Sequence, residues 1–338
     1  KKFIKLDSDK YDFVLCEIGG SVGDYEAGIF YESIRQMRNE ADNCCFIHVS
    51  WIPFLKASSE FKTKPTQNTC KQLMFHGIQP DFLICRSDYS SKSVFKKINM
   101  NTNVKFSNII DAPNVPSVYR VPLLYAKQKL GKNILKHFDM NIPTLNLEKW
   151  KFKLKFDKTV RIGICGKYIG MTDTYKSLVE ALHHSCIGLN VNCEIVWINC
   201  REEIDFSVLD SCNCIIVPGG FGVDGTENKI SIIQYCRAEN ISLLGICLGC
   251  QLIVIEYFRN VLNLNNATSR EFSETGLFVV DILDKSVSEL GGTQRLGNYN
   301  IELLDNSIAS KIYNKNKIVE RHRHRYEINP KYTHLLKD

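Results

Sequence analysis

The chain has 338 residues, 44% hydrophobic and 24% charged, with 43 Lys and Arg against 37 Asp and Glu and a net charge of +6. This is ordinary globular composition, and the length suggests two domains. The mild positive balance suits small anionic substrates and argues against nucleic acid as a partner, since only the RHRHR run at 321–325 is densely basic. There are 14 cysteines, with no cleavable apolar leader and no apolar run near the ~20 residues of a membrane span. They read as reduced, mostly buried thiols of a cytoplasmic protein with no membrane partner.

In chain order, YDFVLCEI (11–18), NCCFIHVS (43–50) and DFLICR (81–86) read as buried strands. Between them, EAGIFYESIRQMRNE and PTQNTCKQLMFHG have helical spacing, the second closing on Gly77. Residues 139–158 are polar, basic and weakly periodic, and read as a linker. The alternation then restarts. VRIGICG, CEIVWI, CNCIIVPGG and ISLLGI read as strands. TDTYKSLVEALHHS reads as a helix with a Thr or Asp N-cap, followed by NKISIIQYCRAEN and CQLIVIEYFRN as further helices. Strand–helix alternation in both halves predicts parallel sheets with helices on both faces.

The sharpest local feature is Gly245-Ile-Cys247-Leu248-Gly249, where a strand meets a helix. Glycines on both sides allow a tight turn that lifts the thiol above a helix N-terminus. That positive end is expected to lower the thiol pKa, and its free amides, such as that of Leu248, can hold an oxyanion. Two other readings stand beside the nucleophile. Cys247 can be one more buried structural cysteine, and Cys247-x-x-Cys250 can be a redox or zinc pair, although no second C-x-x-C completes a zinc site. Upstream, Pro218-Gly219-Gly220-Phe221-Gly222 ends another strand, and in a parallel sheet it falls at the same edge.

Gly-Ile-Cys-Leu-Gly-x-Gln after Pro-Gly-Gly-Phe-Gly resembles the class I glutamine amidotransferases. The resemblance implies release of ammonia from glutamine through a Cys-His-Glu triad, with Cys247 as nucleophile. It also implies an oxyanion and glutamine site formed by Gly219, Gly220, Phe221, Leu248, Gln251 and Arg325. CEIGGSVGDYE (16–26), KTKPTQNTCKQL (62–73), GIQPDFLICRSD (77–88), GKYIGMTDTYKSLVEAL (166–182), GGTQRLG (291–297) and ERHRHRYEIN (320–329) are similar to the CTP synthase family, from about residue 11 to the end. The implied fold class is α/β, with two domains, each a mostly parallel sheet flanked by helices. A P-loop, dethiobiotin-synthetase-like amidoligase domain would occupy 1–140, a linker 141–158, and a flavodoxin-like glutamine amidotransferase domain 159–338.

Lys62-Thr63-Lys64-Pro-Thr66-Gln67 gathers two cations, two hydroxyls and an amide at a helix entrance, which suits phosphate, although a solvated basic turn looks the same in isolation. By resemblance it holds the triphosphate of UTP, or of CTP as feedback inhibitor, with Asp24, Tyr25, Glu26 and Lys97 near the nucleotide. Tyr25 replaces the family's usual isoleucine. Glu17, at the end of an apolar run beside glycines, suits Mg2+ among phosphates, and the resemblance assigns it to the Mg2+·ATP site. Lys167 and Lys176 match the segment joining the two activities, and otherwise read as surface lysines. An arginine at 325 is a sensible clamp for an α-carboxylate, while RHRHR alone reads as a strand with cations on one face and histidines on the other.

Two departures from the family pattern stand out. The glutamate that grips the substrate amine is expected at 265, where this chain has Asn265. The chain also carries neither the family's His-Pro-Glu motif nor its Gly-Lys phosphate loop, and opens on KKFIKLDSDK; an incomplete chain is the expectation. The implied activity is ATP-dependent amination of UTP to CTP, with GTP as activator, CTP as inhibitor and a homotetramer that can form filaments. The alternatives are a non-catalytic nucleotide-binding remnant, or another glutamine-dependent amidoligase such as a cobyrinate-type amidase.

Overall fold

The computed structural model describes residues 11–41, 43–170, 173–282 and 295–336. The opening decapeptide, Thr172 and residues 291–294 of the GGTQRLG segment lie outside the described residues. The chain divides into two compact units, Lys1–Phe152 and Lys153–Asp338.

The N-terminal unit is built on three parallel strands, β1 (Ile47–Trp51), β4 (Phe82–Ser87) and β5 (Ile109–Pro113), in the order β1-β4-β5. A short hairpin, β2 (Phe54–Leu55) and β3 (Glu60–Phe61), follows β1. The helices are α1 (Gly28–Glu40), α2 (Lys64–Phe75), α3 (Phe95–Thr102), α4 (Val121–Lys127) and α5 (Leu130–His137). Two-residue periodicity splits the central strand between two cores: Leu83 and Cys85 pack with Ile52, Cys70 and Ile98, whereas Phe82 and Ile84 pack with Ile110 and Leu130. A strand covered on both faces must be apolar throughout, which is why FLIC reads without alternation.

Residues 11–18 correct the expected first strand. They adopt no strand and are largely exposed, with Leu15 at 93%. Apolar character alone does not make a strand, because the backbone also needs a ladder partner, and none pairs with it among the described residues.

The C-terminal unit holds a four-stranded parallel sheet of β6 (Thr159–Gly166), β7 (Asn192–Asn199), β8 (Cys214–Val217) and β9 (Ser242–Gly245), ordered β7-β6-β8-β9. Its longer helices are α6 (Lys176–Gly188), α7 (Thr226–Ala238) and α8 (Leu248–Glu256), with short ones at Ser207–Asp210 and Ile308–Tyr313. In β8, Ile215 and Val217 face one core and Ile216 the other. The order reverses between β6 and β8, and such a switch point opens a crevice at the carboxyl ends of the strands. Beyond the sheet lie β10 (Ala267–Ser269), β11 (Leu277–Asp281), β12 (Arg295–Glu302), β13 (Lys317–His324) and β14 (Glu327–Ile328). The β12–β13 pair is an antiparallel ribbon.

Helix α6 starts later than its side chains suggest. Its N-cap is Tyr175 with no side-chain cap bond, and the backbone carbonyl of Asp173 accepts from the Lys176 N–H at 3.2 Å. Residues 139–158 contain only a 3-10 turn, Glu148–Trp150. Among the described residues no helix is long and apolar enough to cross a membrane.

His48 on β1 ties the sheet to α2 through Nε2 and Thr69 Oγ1, 2.8 Å apart. Burial pushes its imidazole down to about 4 from 6.5. The unfolded chain therefore binds the extra proton between those values, so this contribution is complete above about pH 6.5 and lost as pH falls through 4, at most about 3 kcal/mol. Urea midpoints of the N-terminal unit should fall over that window in the parent chain and flatten in His48→Gln.

Candidate active site

The elbow is built by exclusion. A Cβ on Gly249 would lie 1.9 Å from the Val217 carbonyl oxygen, and one on Gly245 would lie 2.6 Å from the Gly249 carbonyl carbon. Strand β8, strand β9 and the first turn of α8 therefore close on one another only with bare backbone at both positions. The Ile246 N–H donates to the Val217 carbonyl at 2.9 Å, and the Gly249 N–H to the Ile246 carbonyl at 2.9 Å. Cys247 is left at φ 55°, ψ −111°, a conformation an L-residue holds only under local strain.

The thiol sits at the edge of the sheet, partly buried, with the amides of Leu248 and Gly220 directed at it. The expected fall in its pKa is corrected here. Burial raises the Cys247 thiol above the ordinary value and outweighs those two amides, which pull it down; the charge of Glu271 pushes it further up and that of Lys229 pulls it down. A helix terminus acts only over its own first turn, whereas desolvation acts on the whole thiolate.

Gly219 and Gly220 both flank the thiol. A Cβ on Gly219 would stand 3.2 Å from the Cys247 Cβ, and one on Gly220 3.5 Å from the Leu248 Cδ2. Phe221 points outward, 66% exposed, whereas Leu248 is buried. Lys167 is not a surface lysine: it is 4% exposed and leaves β6 to donate from Nζ to the carbonyls of Phe221 and Gly222, the latter at 3.4 Å. Lys176 is exposed and pairs with Glu180 at 3.0 Å. Gln251 is spent internally: its Nε2 donates to the Tyr326 carbonyl at 2.8 Å, which ties α8 to the turn carrying Arg325. The Arg325 guanidinium lies 5.9 Å from the Tyr326 ring centroid. In the RHRHR run Arg321 and Arg323 are exposed while His322, His324 and Arg325 are half-buried, and His322 Nδ1 and His324 Nδ1 lie 3.2 Å apart. Cys250 is exposed, and neither it nor Cys247 belongs to a cluster of three metal-ligating side chains among the described residues.

Two residues escaped the sequence reading. Glu271 accepts the Gly222 N–H at 2.7 Å and its charge reaches Cys247; it lies six residues beyond Asn265, which is exposed in the turn before β10. Lys229 is wholly buried on α7. Its spacing with Ile232, Ile233 and Cys236 marks the buried stripe and could have found it.

In the N-terminal unit, Thr63, Thr66 and Gln67 are turned inward. Gln67 Nε2 donates to Thr63 Oγ1 at 3.0 Å, and Ser50 Oγ to Thr66 Oγ1 at 2.9 Å. Lys62, partly exposed, pairs with Glu60, Lys64 is exposed, and Lys97 adds its field at Glu60, whose carboxyl is held low by Lys62 first. Asp24, Tyr25 and Glu26 are exposed, and the Asp24 carboxylate accepts the Ser21 N–H at 2.7 Å. Their loop meets α2 at Gln72, since a Cβ on Gly23 would lie 3.1 Å from Gln72 Nε2. Eight residues of helix, about 12 Å, separate that contact from Lys64, so within one chain the two groups are not brought together. Glu17 is exposed and in no metal-ligand cluster among the described residues. A lone carboxylate fits Mg2+ only where phosphates supply other ligands.

With this geometry in hand, the comparisons define first a class: the family model for class-I glutamine amidotransferases matches residues 171–337, and that for the CTP synthase N-terminus matches residues 1–140. The chain is 44% identical to a CTP synthase of Pelagibacter ubique, over 97% of this chain and 65% of that protein. It is 42% identical to one of Aquifex aeolicus, over 98% of this chain and 64% of that protein. A solved Trypanosoma brucei CTPS glutaminase domain with bound acivicin is 38% identical, with a TM-score of 0.49, covering 52% of this chain and 70% of that one. The chain belongs to the CTP synthase family. It spans just under two thirds of the length of these two curated relatives.

Two outcomes test the elbow. Gly249→Ala should cost about 2–3 kcal/mol through overpacking against Val217, read as a lower denaturation midpoint of the C-terminal unit. In the parent chain, alkylation of Cys247 should still be accelerating above the roughly 8.5 at which a free thiol is half ionised; a midpoint below that would contradict the dominance of burial.

Proposed function

We propose that the chain serves glutamine-dependent, ATP-driven amination of UTP to CTP. The observation that carries this is Cys247 itself, held at φ 55° at the start of α8 with the Gly219–Gly220 turn packed beside its thiol, in a member of the CTP synthase family. In this reading the Cys247 thiolate attacks the glutamine amide carbon, and the amides of Gly220 and Leu248 hold the oxyanion. The proton given up by the thiol is returned to the amide nitrogen, which leaves as ammonia, and water then releases glutamate from the thioester and regenerates the thiol. Arg325 takes the substrate α-carboxylate, and Glu271 rather than Asn265 takes its α-ammonium, since a carboxylate beside the thiol is the complement of that charge. Gln251 acts by anchoring the Arg325 turn. Lys167 holds the Phe221–Gly222 carbonyls so that the Gly220 amide keeps its aim.

At the other centre, Lys62, Lys64 and Lys97 offer charge to the triphosphate of UTP or of the inhibitor CTP. The buried Thr63, Thr66 and Gln67 shape the helix entrance beneath them. Asp24, Tyr25 and Glu26, about two helical turns away, fit a nucleotide site completed by a second copy, in keeping with a homotetramer or filament. Glu17 would hold Mg2+ together with ATP phosphates, where the ion supplies neutralisation of their charge. The O4 of UTP is phosphorylated by ATP, and ammonia displaces that phosphate at C4. GTP would act on the glutaminase half as activator, in the cytoplasm.

Ammonia release from glutamine and CTP formation from UTP, ATP and Mg2+ separate the two halves. Cys247→Ala should abolish glutamine-dependent ammonia release by several orders of magnitude, yet still make CTP when ammonium chloride is supplied. Lys64→Ala should weaken the ammonium-dependent reaction about tenfold through UTP binding. Undiminished ammonia release from Cys247→Ala would sink the assignment of the nucleophile.

A further inference from the structure

Lys229 stands in the first turns of α7, is 0% exposed, and its Nζ has no hydrogen-bond partner among the described residues. Burying an uncompensated ammonium is costly, and such a group normally finds a counter-charge or loses its proton. The charged and titratable groups that act on it most strongly are Cys200, Lys167, Cys165 and Cys247. Burial pushes its ammonium down, Lys167 adds to that, and the three thiols push it back up. Lys167 differs, because its Nζ is already engaged by the carbonyls of Phe221 and Gly222.

Of the three thiols, Cys165 and Cys200 are wholly buried, out of reach of any substrate. Cys247 is the one on the open edge of the sheet. Helix α7 begins just after the loop that flanks Cys247, with Gly225 as its N-cap, and its Ile230 and Ile233 share a core with Leu248 and Leu252 of the elbow helix. We propose that Lys229 is a positioning residue for the nucleophile: its uncompensated ammonium lies behind the elbow and stabilises the Cys247 thiolate once the proton has left. It touches no substrate and acts through Cys247. Glu271 opposes it, and the amides of Leu248 and Gly220 assist it. The proposal rests on the function above only in taking Cys247 as the nucleophile.

The test is the pH profile of iodoacetamide alkylation at Cys247 in the full chain, with peptide fragmentation distinguishing Cys250. Lys229→Met should move the profile to higher pH and lower the alkylation rate near neutrality severalfold. Lys229→Arg, which keeps the charge, should recover most of that loss. Alkylation needs no glutamine, so a shifted profile in a chain that releases no ammonia would overturn the glutaminase reading and leave this one standing. An unshifted Cys247 profile in folded Lys229→Met overturns it, as does a change confined to Cys200. Should circular dichroism show that the methionine variant does not fold, reciprocity supplies the measurement. The Lys229 ammonium, followed by NMR of nitrogen-labelled lysine, should titrate at higher pH in the parent than in Cys247→Ser, and equal titration overturns the proposal.

Discussion

The C-terminal unit turns on one steric constraint, the approach of the Gly249 backbone to the Val217 carbonyl. With a Cβ excluded there, α8 seats against the end of β8 and the chain between β9 and α8 turns within three residues. That seating forces Cys247 into positive φ and brings its sulfur to the amides of Leu248 and Gly220. The same closeness buries the thiol. The feature that sets the thiol's position therefore also opposes its ionisation, and the nearby charges of Lys229 and Glu271 act on that balance in opposite directions.

The N-terminal unit divides its labour differently. At the entrance of α2, hydroxyls and an amide are consumed inside the protein, fixing the helix against β1 through Ser50 and Thr66. Cations are left outside, around Glu60. An internally satisfied base thus lies beneath a group of partly exposed charges.

Much of this was legible in the sequence, for identifiable reasons. Strands β4 and β8 read clearly because burial on both faces demands unbroken apolar runs, and the elbow read clearly because only glycine satisfies its contacts. Residues 11–18 misled because composition is local while strand pairing is not. The start of α6 misled because Asp173 contributes its carbonyl rather than a side-chain cap. The direction of the Cys247 thiol required the depth of burial, which no motif carries. Glu271 carries no local pattern that marks it, whereas the place of Lys229 on the buried Ile232–Ile233–Cys236 stripe was legible from its spacing.

The conformation of Cys247 has a thermodynamic side. A residue held where L-amino acids resist going stores about 1–3 kcal/mol that glycine at the same position would release. Glycine at position 247 would therefore relax this corner, so the native sequence sits above the lowest free energy its own fold allows.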